Sequence, residues 1–450
     1  MRLLPLRHSA SSSAAAAAPA GEGSTCSASS SCKSSSSSSV SEIPNSAASA
    51  SDSSSSSSIL THPSLPSPHA LLPPLQPSRL LSASFLRLSS LTSASSTSGA
   101  SALATSAVSH LLYAATESLI SVYDISNLRR IDSLPSPRGA GAAKSVSLST
   151  DGTTIFIAHQ DGRIRLWRRS RQSGLLRLHT SLPTPSDRLL RLPLPKNYVT
   201  VRRHRKRLWI EHADAISAVA AAGDRLYSVS WDKTLKIWST TSLRCLESVA
   251  AHEDAVNAVA VADDGTVYTG SADRRIRVWA IPARAKRHEL VATLDQHRSA
   301  VNALALNSDG SLLYSGACDR SILVWERDES SEFMKVTGAL RGHEKAILSL
   351  ACAREIVVSG SADRTVRVWR RATEGREYCC LAVLEGHASG VRSLVAVRMP
   401  AAGGGGGGGG EHRIFSGSLD GEVCVWRVLI SSATNFGKNT SEITKIGRFS

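Results

Sequence analysis

A histidine, a hydroxyl and an aspartate recur together along this chain, the residue types of a base, a nucleophile and an orienting acid. The sets are His212, Ser228 and Asp232; His252, Thr269 and Asp273; His297, Ser315 and Asp319; His343, Ser359 and Asp363; and His387, Ser416 and Asp420. In each, the hydroxyl lies four residues before the aspartate, and a tryptophan follows the aspartate after six: Trp238, Trp279, Trp325, Trp369 and Trp426. An active site needs one copy. Five copies, with hydroxyl, aspartate and tryptophan at fixed offsets, point to a repeated hydrogen-bond network that satisfies its own members. A further unit keeps Asp161 and Trp167, but Ile157 takes the hydroxyl position and no matching histidine precedes it. Histidine and hydroxyl disappear together, as members of one network would. No catalytic residue, metal site or cofactor is expected. The eight cysteines show no CxxC spacing, so neither a disulfide framework nor a zinc site is indicated, and a reducing compartment fits. The glycine run 403–410 is a homopolymer rather than a phosphate-cradling motif.

Each tryptophan ends the same short alternating run: RIRLW at Trp167, LKIW at Trp238, IRVW at Trp279, ILVW at Trp325, VRVW at Trp369 and VCVW at Trp426. Glu117 and Tyr123 hold the corresponding places in a degenerate copy, ESLISVYD. From Tyr123 onward the intervals are 44, 71, 41, 46, 44 and 57 residues, and the two long ones contain the basic segment 168–207 and the glycine run. Without those insertions the period is roughly 40–45 residues.

These units resemble WD40 repeats, and GHEKAI followed by SGSADRTVRVW is close to a consensus copy. The stretches TIFIAHQDGRIRLW, RRHRKRLWIEHADAISAVA and YSVSWDKTLKIW further resemble the plant WD40 proteins of the JINGUBANG type. The resemblance implies an all-β, seven-bladed β-propeller over residues 79–430. It also implies that indole, hydroxyl, histidine and aspartate are joined in series in all five full sets. Few residues follow Trp426, and the resemblance implies that an N-terminal strand, for which 82–89 is the candidate, completes the last blade and removes an open edge. The basic segment is expected between the third and fourth strands of the second blade, and the glycine run between the first two strands of the last, on one side of the ring.

Composition adds a tail at each end. Residues 1–78 are Ser, Ala and Pro with no aromatic before Phe85, too little apolar surface to offset chain entropy, so a disordered segment is expected; residues 431–450 form a polar tail. The start is Arg-containing, Ser/Ala-rich and free of acids up to Glu22, which is also transit-peptide chemistry. No apolar run reaches the roughly 18 residues of a membrane-spanning helix. Formal net charge is +15. Segment 168–207 holds twelve Arg and Lys against the single acid Asp187, and its tightest cluster is Arg202, Arg203, Arg205, Lys206 and Arg207. That cluster is read either as edge protection on an outer strand or as a nuclear-import signal.

The reading that follows is a non-catalytic scaffold or adaptor, cytoplasmic or nuclear, binding proteins or peptides on the top face in plant regulation, with no membrane role. Candidate partner-binding residues there are Trp231, Asp214, Glu253, Asp254, Arg298 and Lys345, and the acidic ones would suit a basic, apolar peptide. Two alternatives remain. One is a nucleic-acid-associated regulator using 168–207, weakened by prolines 183, 185, 193 and 195, which would break a recognition helix. The other is a ubiquitin-ligase substrate receptor, which lacks its basic residue after Tyr123-Asp124 and Trp325-Glu326.

Overall fold

The computed structural model describes residues 81–91, 102–106, 108–170, 172–202, 205–327, 334–372, 377–400 and 410–432. The expectations for 1–78, for 403–409 and for 433–450 lie outside the described residues. All described residues belong to one compact unit, Leu65–Ser450.

The described residues form seven four-stranded antiparallel sheets and one separate hairpin. The sheets are the blades of a seven-bladed propeller. Blade 1 runs from Ala102–Ser106 to Arg130–Pro135, and blade 2 from Ala143–Leu148 to Leu176–Leu182. Blade 3 spans Ile216–Ala222 to Cys245–Ala250, and blade 4 spans Val256–Val261 to Glu289–Leu294. Blade 5 extends from Val301–Leu306 to Met334–Leu340, and blade 6 from Ile347–Ala353 to Tyr378–Leu384. The innermost strands neighbour one another around the ring, blade 7 meeting blade 1. Apolar clusters fill the spaces between successive blades, so no blade buries its faces alone.

Blade 7 is assembled from both ends of the chain. Val391–Arg398, Gly410–Ser418 and Val423–Ser432 supply three strands, and Leu81–Ser90 pairs antiparallel with the last as its outermost strand. Its bounds enclose the expected 82–89, and Val423–Ser432 runs two residues into the segment read as tail. Tyr123 Oη donates to Leu91 O at 3.2 Å, tying the end of this strand to blade 1.

The basic segment requires a correction. The fourth strand of blade 2 is Leu176–Leu182, inside the span read as an insertion. The extra chain therefore lies between the outer strand of blade 2 and the inner strand of blade 3. In an up-and-down sheet that connection lies at the opposite end from one joining the first and second strands, so the two insertions do not share a side. A pattern of Leu176, Leu178 and Leu182 after the tight turn was the overlooked strand signal. Arg202 and residues 205–207 consequently are not part of a blade's outer strand. Tyr198–Arg202 pairs instead with Arg205–Leu208 in the separate hairpin, so edge protection of a blade does not explain them.

Candidate functional site

The turn between the second and third strands of each repeat explains why aspartate is needed there. The residue after it has positive φ at Lys233, Arg274, Arg320 and Arg364, and glycine takes that place at Gly162 and Gly421. An aspartate side chain bridges such a left-handed residue by accepting the N–H two positions on. Asp232 Oδ1 accepts from Thr234 N at 3.0 Å, and Asp363 Oδ1 from Thr365 N at 2.9 Å. With Oδ1 holding the turn, Oδ2 is left for the histidine.

Four sets are joined in series. His343 Nδ1 lies 2.8 Å from Asp363 Oδ2 and its Nε2 lies 2.8 Å from Ser359 Oγ, which accepts the Trp369 indole N–H at 2.8 Å. The corresponding three distances are 3.1, 2.8 and 2.8 Å around His212, 2.8, 2.8 and 2.9 Å around His252, and 3.0, 2.7 and 2.8 Å around His297. These hydroxyls are fully buried. Burial keeps the His212, His252 and His343 imidazoles below their ordinary pKa, outweighing the pull of each aspartate. For Asp363, burial acts upward, but hydrogen bonds from Thr365 and the adjacent His343 bring it down to about 2.

The fifth set departs from the expectation. His387 Nε2 meets Ser416 Oγ at 2.6 Å, and Ser416 accepts from Trp426 at 2.7 Å, but Asp420 does not reach the ring. Asp420 Oδ1 holds its turn through Glu422 N, while Oδ2 has no hydrogen-bond partner among the described residues. Glu422 displaces it: its Oε2 stands 3.8 Å from His387 Nδ1, while Oε1 pairs with Arg87 of the N-terminal strand. Cys424 Sγ lies 3.7 Å from the same ring nitrogen. His387, Glu422 and Cys424 thus hold potential ligand atoms within 4.8 Å of one another. Burial, followed by Glu422, pushes the Cys424 thiol up to about 12, and Arg87 already occupies the carboxylate, both of which oppose thiolate ligation. In blade 2, where the histidine is missing, Asp161 turns to Arg165 and the Trp167 indole N–H lacks a partner among the described residues.

At the channel, each inner strand presents the residue after its first paired position. Residue 217 falls inside a register break between Ile216 and Ala218, and Lys144, Asn257, Asn302, Leu348 and Arg392 fall inside equivalent breaks. Such a bulge re-aims its side chain. With Leu103 of blade 1 these residues line a cavity of about 260 Å³ at the end of the ring where the inner strands begin. The polar members of blades 3–5 stitch neighbouring blades: Ser217 Oγ donates to Val256 O, Asn257 Nδ2 to Val301 O at 3.0 Å, and Asn302 Nδ2 to Ile347 O at 2.8 Å.

Of the six surface candidates, Trp231 alone lines this cavity. It is 37 % exposed, and Lys144 Nζ sits 5.4 Å from its ring centroid. Asp214, Glu253, Asp254, Arg298 and Lys345 are exposed on turns outside it. The acids there are partly committed: Asp214 and Asp254 accept the next residue's N–H at 2.7 and 2.8 Å, and Glu253 pairs with Arg275 at 3.3 Å. Two cations that line the cavity itself, Lys144 and Arg392, were not among the candidates; Arg392 stands five residues after His387, whereas blade 2 has no repeat histidine to set the register of Lys144.

The extra chain between blades 2 and 3 is ordered around Asp187, the single acid of 168–207. Thr184 caps a short helix, Pro185–Arg191, by accepting Asp187 N. Proline is compatible with the first turn of a helix, so the prolines do not prevent this one. Asp187 is buried, accepts Arg191 Nε at 3.0 Å and faces Cys245 N of blade 3. Leu208 and Ile210 are buried between blades 2 and 3. In the basic cluster, Lys206 is exposed and Arg207 Nη1 donates to His212 O at 2.8 Å; Arg203 and the side chains of Arg202 and Arg205 lie outside the described residues. No helix among the described residues is long and apolar enough to cross a membrane.

A family model described as WD domain, G-beta repeat, matches residues 204–239, 243–280, 288–326, 334–370 and 378–427. Each match ends just past one of the five tryptophans that follow a histidine. Protein Notchless of Drosophila melanogaster is 36% identical over 85 residues, 19% of this chain and 17% of that protein. Apoptotic protease-activating factor 1 of Rattus norvegicus is 26% identical over 213 residues, 45% and 14% of the two chains. The guanine nucleotide-binding protein subunit beta of Schizosaccharomyces pombe is 31% identical over 65 residues, 14% and 21%. The chain spans about a fifth or less of the length of each of these relatives.

Proposed function

We infer that this chain, a WD40-repeat protein, works as a non-catalytic scaffold that holds partner proteins at the mouth of its channel. One observation carries the reading: a tryptophan outside the repeat's own tryptophan position stands half-exposed on the lip of the channel cavity. The equivalent turn residues in blades 4 and 6 are Ala272 and Ala362. A large aromatic over a cavity is the kind of residue that dominates interface energies. In the four complete sets the histidines and hydroxyls are committed to one another inside the blades, which supports a role in holding the fold rather than in turnover. A plant regulatory setting belongs to the same proposal and rests on the resemblance of the stretches around Trp167, His212 and Trp238.

The test is affinity purification of the full chain with mass spectrometry, beside a Trp231→Ala control. Partners should be lost with the alanine while melting stays near wild type. Retention of the same partners would move the binding surface elsewhere. A cytoplasmic or nuclear location is also proposed, with the basic hairpin as the import signal. Glutamine at Arg202, Arg203, Arg205 and Lys206 should then deplete the nuclear signal of a fluorescent fusion, and an unchanged distribution would discard that signal.

A further inference from the structure

The seven channel-mouth positions are not electrically balanced. Lys144 comes from blade 2 and Arg392 from blade 7, on either side of Leu103 in blade 1, and the remaining four are Ser217, Asn257, Asn302 and Leu348. No acid lines the cavity. Neither cation makes a salt bridge to a carboxylate among the described residues, although every other ring residue with a donor in blades 3–5 is spent on the next blade. Both side chains are half-buried. Burial lowers the pKa of each, and Arg392 lowers that of Lys144 further, with only Glu117 acting in the opposite sense. Two half-buried like charges on the wall of one cavity are a cost to the free protein, and a counter-charge entering that cavity would relieve it.

We propose that the channel mouth takes an acidic side chain of a partner peptide, its anionic group between Lys144 and Arg392 and its apolar part against Trp231. The inference rests on the scaffold reading and specifies its ligand. It reverses the sign expected from the exposed rim acids, because those acids are partly committed to their own turns and to arginine, whereas neither cavity cation has a carboxylate partner among the described residues. A cavity of about 260 Å³ suits one side chain, since pockets for whole small molecules run from about 300 Å³ upward. A carboxylate and a phosphoryl group share the required chemistry. The guanidinium offers either a paired set of donors, and the ammonium a point charge.

The full chain would be titrated, by fluorescence anisotropy, against labelled oligoglutamate, a phosphoserine peptide and oligolysine of equal length, and against oligouridylate. The acidic peptides should bind and oligolysine should not, with the ratio of the two acidic arms reporting carboxylate against phosphate. The double variant Lys144→Gln, Arg392→Gln should weaken acidic-peptide binding by at least about tenfold, the scale of one charge-assisted contact. Its melting temperature should hold or rise, because a repulsive pair has been removed. Arg392→Lys, which keeps the charge, should retain most of the binding. Acidic-peptide binding indifferent to the double variant would overturn the proposal, as would a preference for oligolysine. So would tighter binding of oligouridylate through the same two cations. A peptide lost with Trp231→Ala but indifferent to Lys144 and Arg392 would sink the anion assignment and leave the scaffold surface standing; binding of no acidic peptide would overturn the anion assignment, while the scaffold reading falls only if partners are retained by Trp231→Ala.

Discussion

At the scale of the residue, His343 shows what a repeat histidine contributes. Both ring nitrogens are engaged, at 2.8 Å to Asp363 and 2.8 Å to Ser359, inside a buried set. His343→Ala should destabilise the protein by roughly 1–3 kcal/mol, the usual cost of leaving buried partners unpaired, read as a lower melting temperature. The same rings make the fold acid-sensitive. His212, His252, His343 and His387 all titrate below the ordinary 6.5 in the folded chain. Below that pH the unfolded chain binds protons that the folded chain refuses, so stability falls as pH drops. Asp363 adds a second loss, since its carboxyl falls from 3.8 to about 2 on folding and its contribution disappears as pH descends through that interval. Melting curves between neutral pH and pH near 5 should show the histidine part, and His343→Gln should flatten the dependence. A pH-independent melting temperature over that range would contradict the burial of neutral imidazoles.

At the scale of the element, closure is the step most exposed to test. The strand Leu81–Ser90 covers the edge of Val423–Ser432 through nine paired positions. Deleting residues 1–91 should uncover that edge, lower the melting temperature and promote self-association. A monodisperse product of unchanged stability would show that the strand is dispensable. This strand was legible through the repeat resemblance, which implies an N-terminal strand in the last blade and led to 82–89. The outer strand of blade 2 was not, because Leu176–Leu182 is followed by prolines and a basic run that resemble an interruption of the blade. The basic run in fact leaves a completed sheet, forms its own helix and hairpin, and returns through Leu208 and Ile210 into the core between two blades.

At the scale of the whole molecule, the repeat was readable because the physical constraint recurs. A left-handed turn residue needs the aspartate, and the second carboxylate oxygen then needs a donor. Trp238, Trp279, Trp325 and Trp369 each close such a set, and their positions gave the period. The failure of Asp420 to reach His387 was not readable, since it depends on Glu422 and on Arg87 arriving from the far end of the chain. The channel mouth was partly readable: Ser217, Asn257, Asn302, Leu348 and Arg392 each stand five residues after a repeat histidine. Lys144 has no such marker, so the pairing of two cations emerges only when the ring closes. The central claim is a division of labour, with the repeated sets holding the blades and the channel mouth meeting partners. It is tested most directly by measuring melting temperature and partner retention together on Trp231→Ala and His343→Ala, the retention assay run well below the lower melting point. Trp231→Ala is expected to lose partners at unchanged melting temperature, and His343→Ala to melt earlier while keeping them. If His343→Ala instead abolished function without changing stability, or Trp231→Ala unfolded the protein, the two roles would be assigned to the wrong residues.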